Sequence, residues 1–214
     1  MTLVHWHEPT HRPTEPPPDL AADTHRSRIA LERILADPHD GEAWTLLSAY
    51  YDEAADGWDT WVRTQPWYLA PVQAGLGHAK PARTVLEVSC GSGQATPLLD
   101  AYARLVLATD ASRVMLADAP RTLRHTHYAL VDVRRLPLRT GSIDLIVGLN
   151  AVPHVDEFAR VLAPRGQLLW CTSFGAGTPL YIEVERFVHL MGPDWRADAG
   201  RAGHGEWLLL TRVR

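Results

Sequence analysis

The segment Arg83 to Gln94 constrains this chain more than any other. An apolar, β-branched run (Val85, Leu86, Val88) closes on a small, glycine-bearing turn, and a helical pattern follows it. That order predicts a buried strand feeding a tight turn and a helix N-terminus. Gly91 and Gly93 carry no Cβ, so a ligand can approach the backbone closely there. Glu87 sits at the carboxyl end of the strand, where open α/β sheets take their ligands, and it can meet a cation. The free amides of the helix start suit an anion or a ligand carboxylate. Two other glycine-rich readings fail. A dinucleotide fingerprint needs a glycine at position 96, which is Thr96, and a Walker loop needs Gly-Lys-Ser/Thr, which the sequence lacks.

Beyond this segment, strand and helix patterns alternate, which implies a parallel sheet with crossover helices on both faces. Strands are expected at 105–109, 128–133, 142–150 and 167–174, with helices at 95–104, 156–162 and 178–191. The last residues, 195–203 and 206–213, suit an antiparallel pair. Asp110 closes the second strand and Asp132 lies in the third. A carboxylate placed like Asp110 can take both ribose hydroxyls of a nucleoside. It can equally cap the helix that starts near Ser112.

The Glu87 to Gly93 turn resembles motif I of the class I S-adenosylmethionine methyltransferases, acid-x-Gly-x-Gly-x-Gly. Glu87 is the acid, Gly91 and Gly93 are the last two glycines, and Ser89 replaces the first. A serine fits such a turn while its φ stays negative. Further resemblances follow in the family's order: Asp110, then Asp132 before Leu136, Pro137 and Leu138, then the Pro164, Arg165, Gly166 turn, where Arg165 stands for a glycine. The resemblance implies an α/β, doubly wound Rossmann-like seven-stranded sheet of order 3-2-1-4-5-7-6, with the last strand pair antiparallel. It implies S-adenosyl-L-methionine as cofactor, S-adenosyl-L-homocysteine as product, and a small-molecule acceptor. Cofactor contacts are expected from Glu87, Ser89, Cys90, Gly91 and Gly93, from Asp110, Ala111, Ser112 and Met115, from Asp132 and Val133, and from Asn150. Asp132 would accept from the adenine amine.

Methyl transfer from a sulfonium is a displacement that mainly needs alignment. A general base helps only if the acceptor must lose a proton. His154 and Tyr51 are the candidates, with a structural or cofactor-adjacent place as the other reading of His154. Because Ser89 departs from the motif, the alternative is a protein that binds the cofactor without transferring a methyl group.

Three regions are expected: a flexible Pro/His-rich arm (1–19), an N-terminal helical lid (20–78) and the cofactor-binding core (79–214). Half of the eight tryptophans fall in the second region, as Trp44, Trp58, Trp61 and Trp67. Gly75 to Pro81 reads as a linker. His5, His7 and His11 could catch a metal, but no Cys or acid pattern defines a site, and none is expected. A net charge of −4 gives no electrostatic case for nucleic acid or anionic membranes. Lys80 is the only lysine, which disfavours Schiff-base chemistry. Two cysteines outside any paired framework, no apolar leader and no membrane-length run point to the cytoplasm.

Overall fold

Apolar runs without alternation call for strands covered on both faces. The computed structural model, which describes residues 2–213, supplies that cover. Its strands are β1 (Val4–Trp6), β2 (Thr84–Val88), β3 (Leu105–Asp110), β4 (Thr126–Leu130), β5 (Ile143–Leu149), β6 (Leu162–Thr172), β7 (Trp195–Ala202) and β8 (Gly205–Arg212). Its helices are α1 (Arg26–Ala36), α2 (Gly41–Ala54), α3 (Trp58–Arg63), α4 (Ala70–His78), α5 (Thr96–Tyr102), α6 (Arg113–Ala117), α7 (Val155–Val161) and α8 (Val184–Met191).

Successive residues of a strand point to opposite faces, and the two cores follow that period. On β6, Leu168 and Trp170 enter one core while Leu169 and Cys171 enter the other. On β8, Leu208 and Leu210 alternate with Trp207 and Leu209 in the same way. The first core is covered by α1, α2, α7 and α8 through Leu31, Trp44, Phe158 and Phe187. The second is covered by α4 and α5 through Val72 and Leu99.

The sheet has eight strands rather than seven, in the order β1-β7-β8-β6-β5-β2-β3-β4. Leaving out β1, this is the expected 3-2-1-4-5-7-6. Only β8 runs against its neighbours, pairing antiparallel with β6 and β7. The additional strand comes from the segment read as a flexible arm. Val4, His5 and Trp6 pair in parallel with Ala197, Asp198 and Ala199. Hydrogen bonds continue along the arm, with the Thr10 amide donating to Arg201 O at 2.9 Å and the Gly203 amide to His11 O at 2.8 Å. The proline-rich composition masked a short strand former that ends before Pro9.

The helical region also differs from a separate lid. α1 and α2 contribute Leu31, Ile34 and Leu47 to the same core as Leu86 and Ile146 of the sheet. α4 continues to His78, through half of the expected linker, because Gly75 seats its bare backbone against Leu169. Only the end of α2 and α3 are left to overhang the carboxyl ends of β2, β3 and β5. β2 lies between β3 and β5, so the chain departs in opposite directions on its two sides. That divergence opens the crevice where such sheets bind ligands.

Candidate functional site

Two loops meet at the crevice, after β2 and after β3, and Asp110 joins them. Its Oδ2 accepts from the Gly91 amide at 2.7 Å and its Oδ1 from the Ser112 amide at 2.8 Å. Each oxygen keeps further acceptor capacity. Capping of α6 belongs instead to Ser112, whose hydroxyl accepts from the Met115 amide. Burial raises the Asp110 pKa, partly offset by the Ser112 and Gly91 amides. Glu87 is buried at 3% exposure, accepts from the Thr96 hydroxyl at 2.6 Å, and has its pKa pushed up to about 8 by burial.

The turn itself corrects one expectation. Ser89 has φ +52°, so the position is left-handed, as a glycine would prefer. Ser89→Gly should therefore stabilise the chain by about 1 kcal/mol, read as a higher melting temperature, with cofactor affinity equal or better. Weaker binding would mean that the hydroxyl is a ligand contact.

A cavity of about 300 Å³ opens beside these loops. Its wall includes Glu87, Ser89, Cys90 and Gly91 from the first loop, and Asp110, Ala111, Ser112 and Met115 from the second. Asp132, Val133, Asn150 and Tyr51 complete the set of expected residues on the wall. A Cβ on Gly91 would find only Met115 Sδ, at 4.0 Å, so this glycine faces open space.

Two expected residues are not brought to the wall. Gly93 has φ +79°, and a Cβ there would stand 2.9 Å from Pro120 Cδ and 3.1 Å from the Tyr128 hydroxyl. Its bareness serves the packing behind the loop rather than a ligand. His154 is 8% exposed at the start of α7, with Nδ1 buried and unpartnered, and it lines neither this cavity nor the one described next. Burial and the absence of its ring from both cavity walls favour a structural or cofactor-adjacent reading over that of a base.

Two others arrive with their polar groups engaged. Asn150, at φ +51°, donates through Nδ2 to the Tyr68 and Ser173 hydroxyls and accepts from the Ser173 amide. Its amide joins the ends of β5 and β6 and has no free hydrogen for a ligand. Asp132 lies past the end of β4 and not within it. Its carboxylate forms a forked pair with Arg134 at 2.6–3.0 Å, which lowers its pKa.

A second cavity of about 320 Å³ lies under α2 and α3. Tyr51, Trp58, Tyr68, Asn150 and Leu180 line both cavities. Tyr50, Trp61, Phe174 and His25 line only the second. The aromatic rings form a chain, by edge contacts from Tyr50–Tyr51 at 5.1 Å to Tyr51–Trp58 at 5.9 Å, then a tilted Trp58–Trp61 contact at 5.5 Å and an edge contact of Trp61 with Phe174 at 6.1 Å. Burial drives the Tyr51 phenol upward and pushes Tyr68 up to about 12, so both stay protonated at neutral pH.

Two acids outside the expected set of site residues reach the loops. Asp52, at the end of α2, accepts from the Ser112 hydroxyl, and Asp59 of α3 accepts from the Ser92 hydroxyl and, at 2.6 Å, from Gln94 Nε2. The overhang is thus hydrogen-bonded to both loops. Asp52 directly follows Tyr50 and Tyr51, in a segment that resembles the Tyr-Asp segment covering the cofactor in many small methyltransferases, whereas Asp59 carries no signal in the sequence.

Comparison with known proteins agrees with this architecture. Residues 86–170 match the methyltransferase domain family. A malonyl-[acyl-carrier protein] O-methyltransferase of Marinomonas sp. is 30% identical over 59% of this chain and 51% of its own. A demethylmenaquinone methyltransferase of Beutenbergia cavernae is 29% identical over 62% of this chain and 58% of its own. The chain spans about half the length of the curated relatives it matches. Among solved structures, a SAM-dependent methyltransferase from Aquifex aeolicus aligns with TM-score 0.60 and 18% identity over 76% of this chain and 98% of that one. A putative S-adenosyl-L-methionine-dependent methyltransferase from Methanococcus maripaludis aligns with TM-score 0.62 and 18% identity, over 76% and 94%. The strand order, the loop after β2 and these matches agree: residues 86–170 form a domain similar to that of the class I S-adenosylmethionine-dependent methyltransferases.

Proposed function

We propose that this chain holds S-adenosylmethionine in the cavity at the ends of β2 and β3 and methylates a neutral, apolar small molecule in the aromatic cavity beside it. One observation carries the reading: the two cavities share a wall, so a donor in one and an acceptor in the other meet at Tyr51, Tyr68 and Asn150. The first cavity fits the cofactor by its donor set. It offers a bare backbone at Gly91, a carboxylate at Asp110 with acceptor capacity left, and the buried acid Glu87 for a positive charge.

The cofactor supplies an electrophilic methyl group on sulfur. The chain's residues supply alignment and exclusion of water, which can contribute about 7–11 kcal/mol of the barrier. Asp110 takes the ribose hydroxyls, Asp132 accepts from the adenine amine by giving up part of its Arg134 pairing, and Met115 packs beside the base. The Asn150 network fixes the shared wall. Tyr51 acts as a neutral donor and not as a base.

The second cavity indicates the acceptor class. Among the described residues, no Lys or Arg lines it, and Asp56 is its one acid. An anionic acceptor would meet no counter-charge there. Of the acceptors named for the relatives, demethylmenaquinone suits such a lining better than a malonyl group. His25 Nδ1 accepts from the Ser27 amide at 3.2 Å, which leaves its proton on Nε2, 3.0 Å from the Tyr50 hydroxyl. Burial lowers the His25 pKa, so it remains neutral and donates to Tyr50. The Tyr50 proton is then free for an acceptor oxygen.

The test is turnover of methyl-labelled cofactor with a panel of neutral aromatic and quinone acceptors, beside calorimetric titration of the cofactor alone. Trp61 lines only the second cavity, so Trp61→Ala should raise the acceptor KM about tenfold while cofactor affinity stays within twofold. Cofactor binding without turnover on any acceptor would remove the transfer reading. Equal loss of cofactor and acceptor in Trp61→Ala would remove the assignment of the second cavity.

A further inference from the structure

We infer that His5, His7 and Asp198 form a binding site for a zinc-like divalent cation that fastens β1 to the sheet. In the sequence, the arm's histidines lacked an acid. The fold supplies one from nearly two hundred residues away. In the parallel pairing of β1 with β7, His5 stands in register with Asp198. Strand periodicity then puts His7 on the same face as His5, and their rings stand 4.7 Å apart.

The potential ligand atoms of the three residues all lie within 4.8 Å of one another. His7 Nε2 and Asp198 Oδ1 are already 3.2 Å apart. Two ligands bound at about 2.1 Å in a tetrahedral shell stand about 3.4 Å apart. The His7–Asp198 edge therefore needs no adjustment, and the widest gap must close by about 1.4 Å. His5 is exposed and can supply that movement by side-chain rotation.

The surroundings hold the other two ligands in place. The His7 ring lies 4.3 Å from that of His78 and 5.4 Å from Trp207, while His78 itself stacks on Trp207 at 4.6 Å. The second oxygen of Asp198 accepts from Arg196 Nε at 3.2 Å. Outer contacts of this kind orient first-row metal ligands. Two imidazoles and one carboxylate suit zinc and its late first-row neighbours rather than calcium or magnesium, with water completing the shell.

The site is remote from the cofactor cavity. Four strands, β7, β8, β6 and β5, separate β1 from β2 in the sheet. At about 4.8 Å per strand, the distance is about 24 Å. The ion would therefore act on the stability of the edge and have no part in methyl transfer. A ligand that binds only the folded state raises the melting temperature with its concentration.

The experiment titrates the full chain with Zn²⁺ and, separately, Co²⁺. Expected are one ion per chain, a concentration-dependent rise in melting temperature, and the intense visible bands of tetrahedral cobalt. His5→Gln, His7→Gln and Asp198→Asn should each weaken binding at least tenfold, whereas His39→Gln, at an exposed position elsewhere, should not. His5→Gln alters only an exposed side chain, and retained cofactor binding shows that the variant is folded. Absence of saturable binding below about 100 µM overturns the inference. So does an unchanged cobalt spectrum in folded His5→Gln.

Discussion

Asp110→Ala should weaken S-adenosylmethionine binding by about a hundredfold or more. The substitution removes the intended partner of the ribose hydroxyls and also the acceptor for two loop amides, those of Gly91 and Ser112. A buried donor left without a partner costs about 1–3 kcal/mol, and about 2.7 kcal/mol corresponds to a hundredfold. Asp110→Asn keeps the shape and one acceptor oxygen, so it should fall between. Calorimetry with S-adenosylmethionine and S-adenosylhomocysteine measures both. Because Ser112 already caps α6 through its own hydroxyl, a purely local role would leave affinity unchanged in Asp110→Ala. That result would end the assignment.

The second large effect is a pH dependence centred on Glu87. Burial, only partly offset by the Thr96 hydroxyl and increased by Asp110, pushes its pKa up to about 8 from 4.5. Between those values the folded chain keeps a proton that the unfolded chain has released. Stability from this group is complete below about pH 4.5 and declines as pH rises through about 8. At about 1.4 kcal/mol per unit, the decline amounts to about 5 kcal/mol at most. For a chain of this size that is about 10 °C in melting temperature. Glu87→Gln should flatten the profile of the ligand-free protein and melt higher than wild type at pH 8. A cationic ligand in the cavity should reverse the preference by favouring the carboxylate, so cofactor binding near neutral pH should release a proton. Titration in buffers of different ionisation enthalpy detects that release. Parallel melting profiles for Glu87→Gln and wild type from pH 5 to 8 would rule out a titrating Glu87.

The sheet was largely legible because its strands are long apolar runs, and the acids Glu87 and Asp110 occupy strand ends that any α/β crevice would use. What escaped the sequence depends on distance or on torsion. β1 is three residues long, and its pairing with β7 is set by a strand near the other end of the chain. Ser89 and Asn150 are left-handed, which residue type alone does not reveal. Gly93 looked like a ligand-facing glycine but is bare for the sake of Pro120 and Tyr128. His154 follows the right strand, yet at the start of α7 it is buried and lines neither cavity. The hydrogen bonds of Asp52 and Asp59 cross from the N-terminal helices to the loops, a pairing without local signature.

Those last two carboxylates bear on kinetics. Asp52 and Asp59 fasten one overhanging segment to the very loops that line the cofactor cavity, and the same segment walls the neighbouring one. An acceptor seated in that second cavity would stand against the wall it shares with the first. An acceptor that arrived first would therefore obstruct the donor. The steady state should accordingly be compulsory-ordered, with the donor entering first and its demethylated product departing last. S-adenosylhomocysteine should then inhibit competitively against S-adenosylmethionine and noncompetitively against the acceptor.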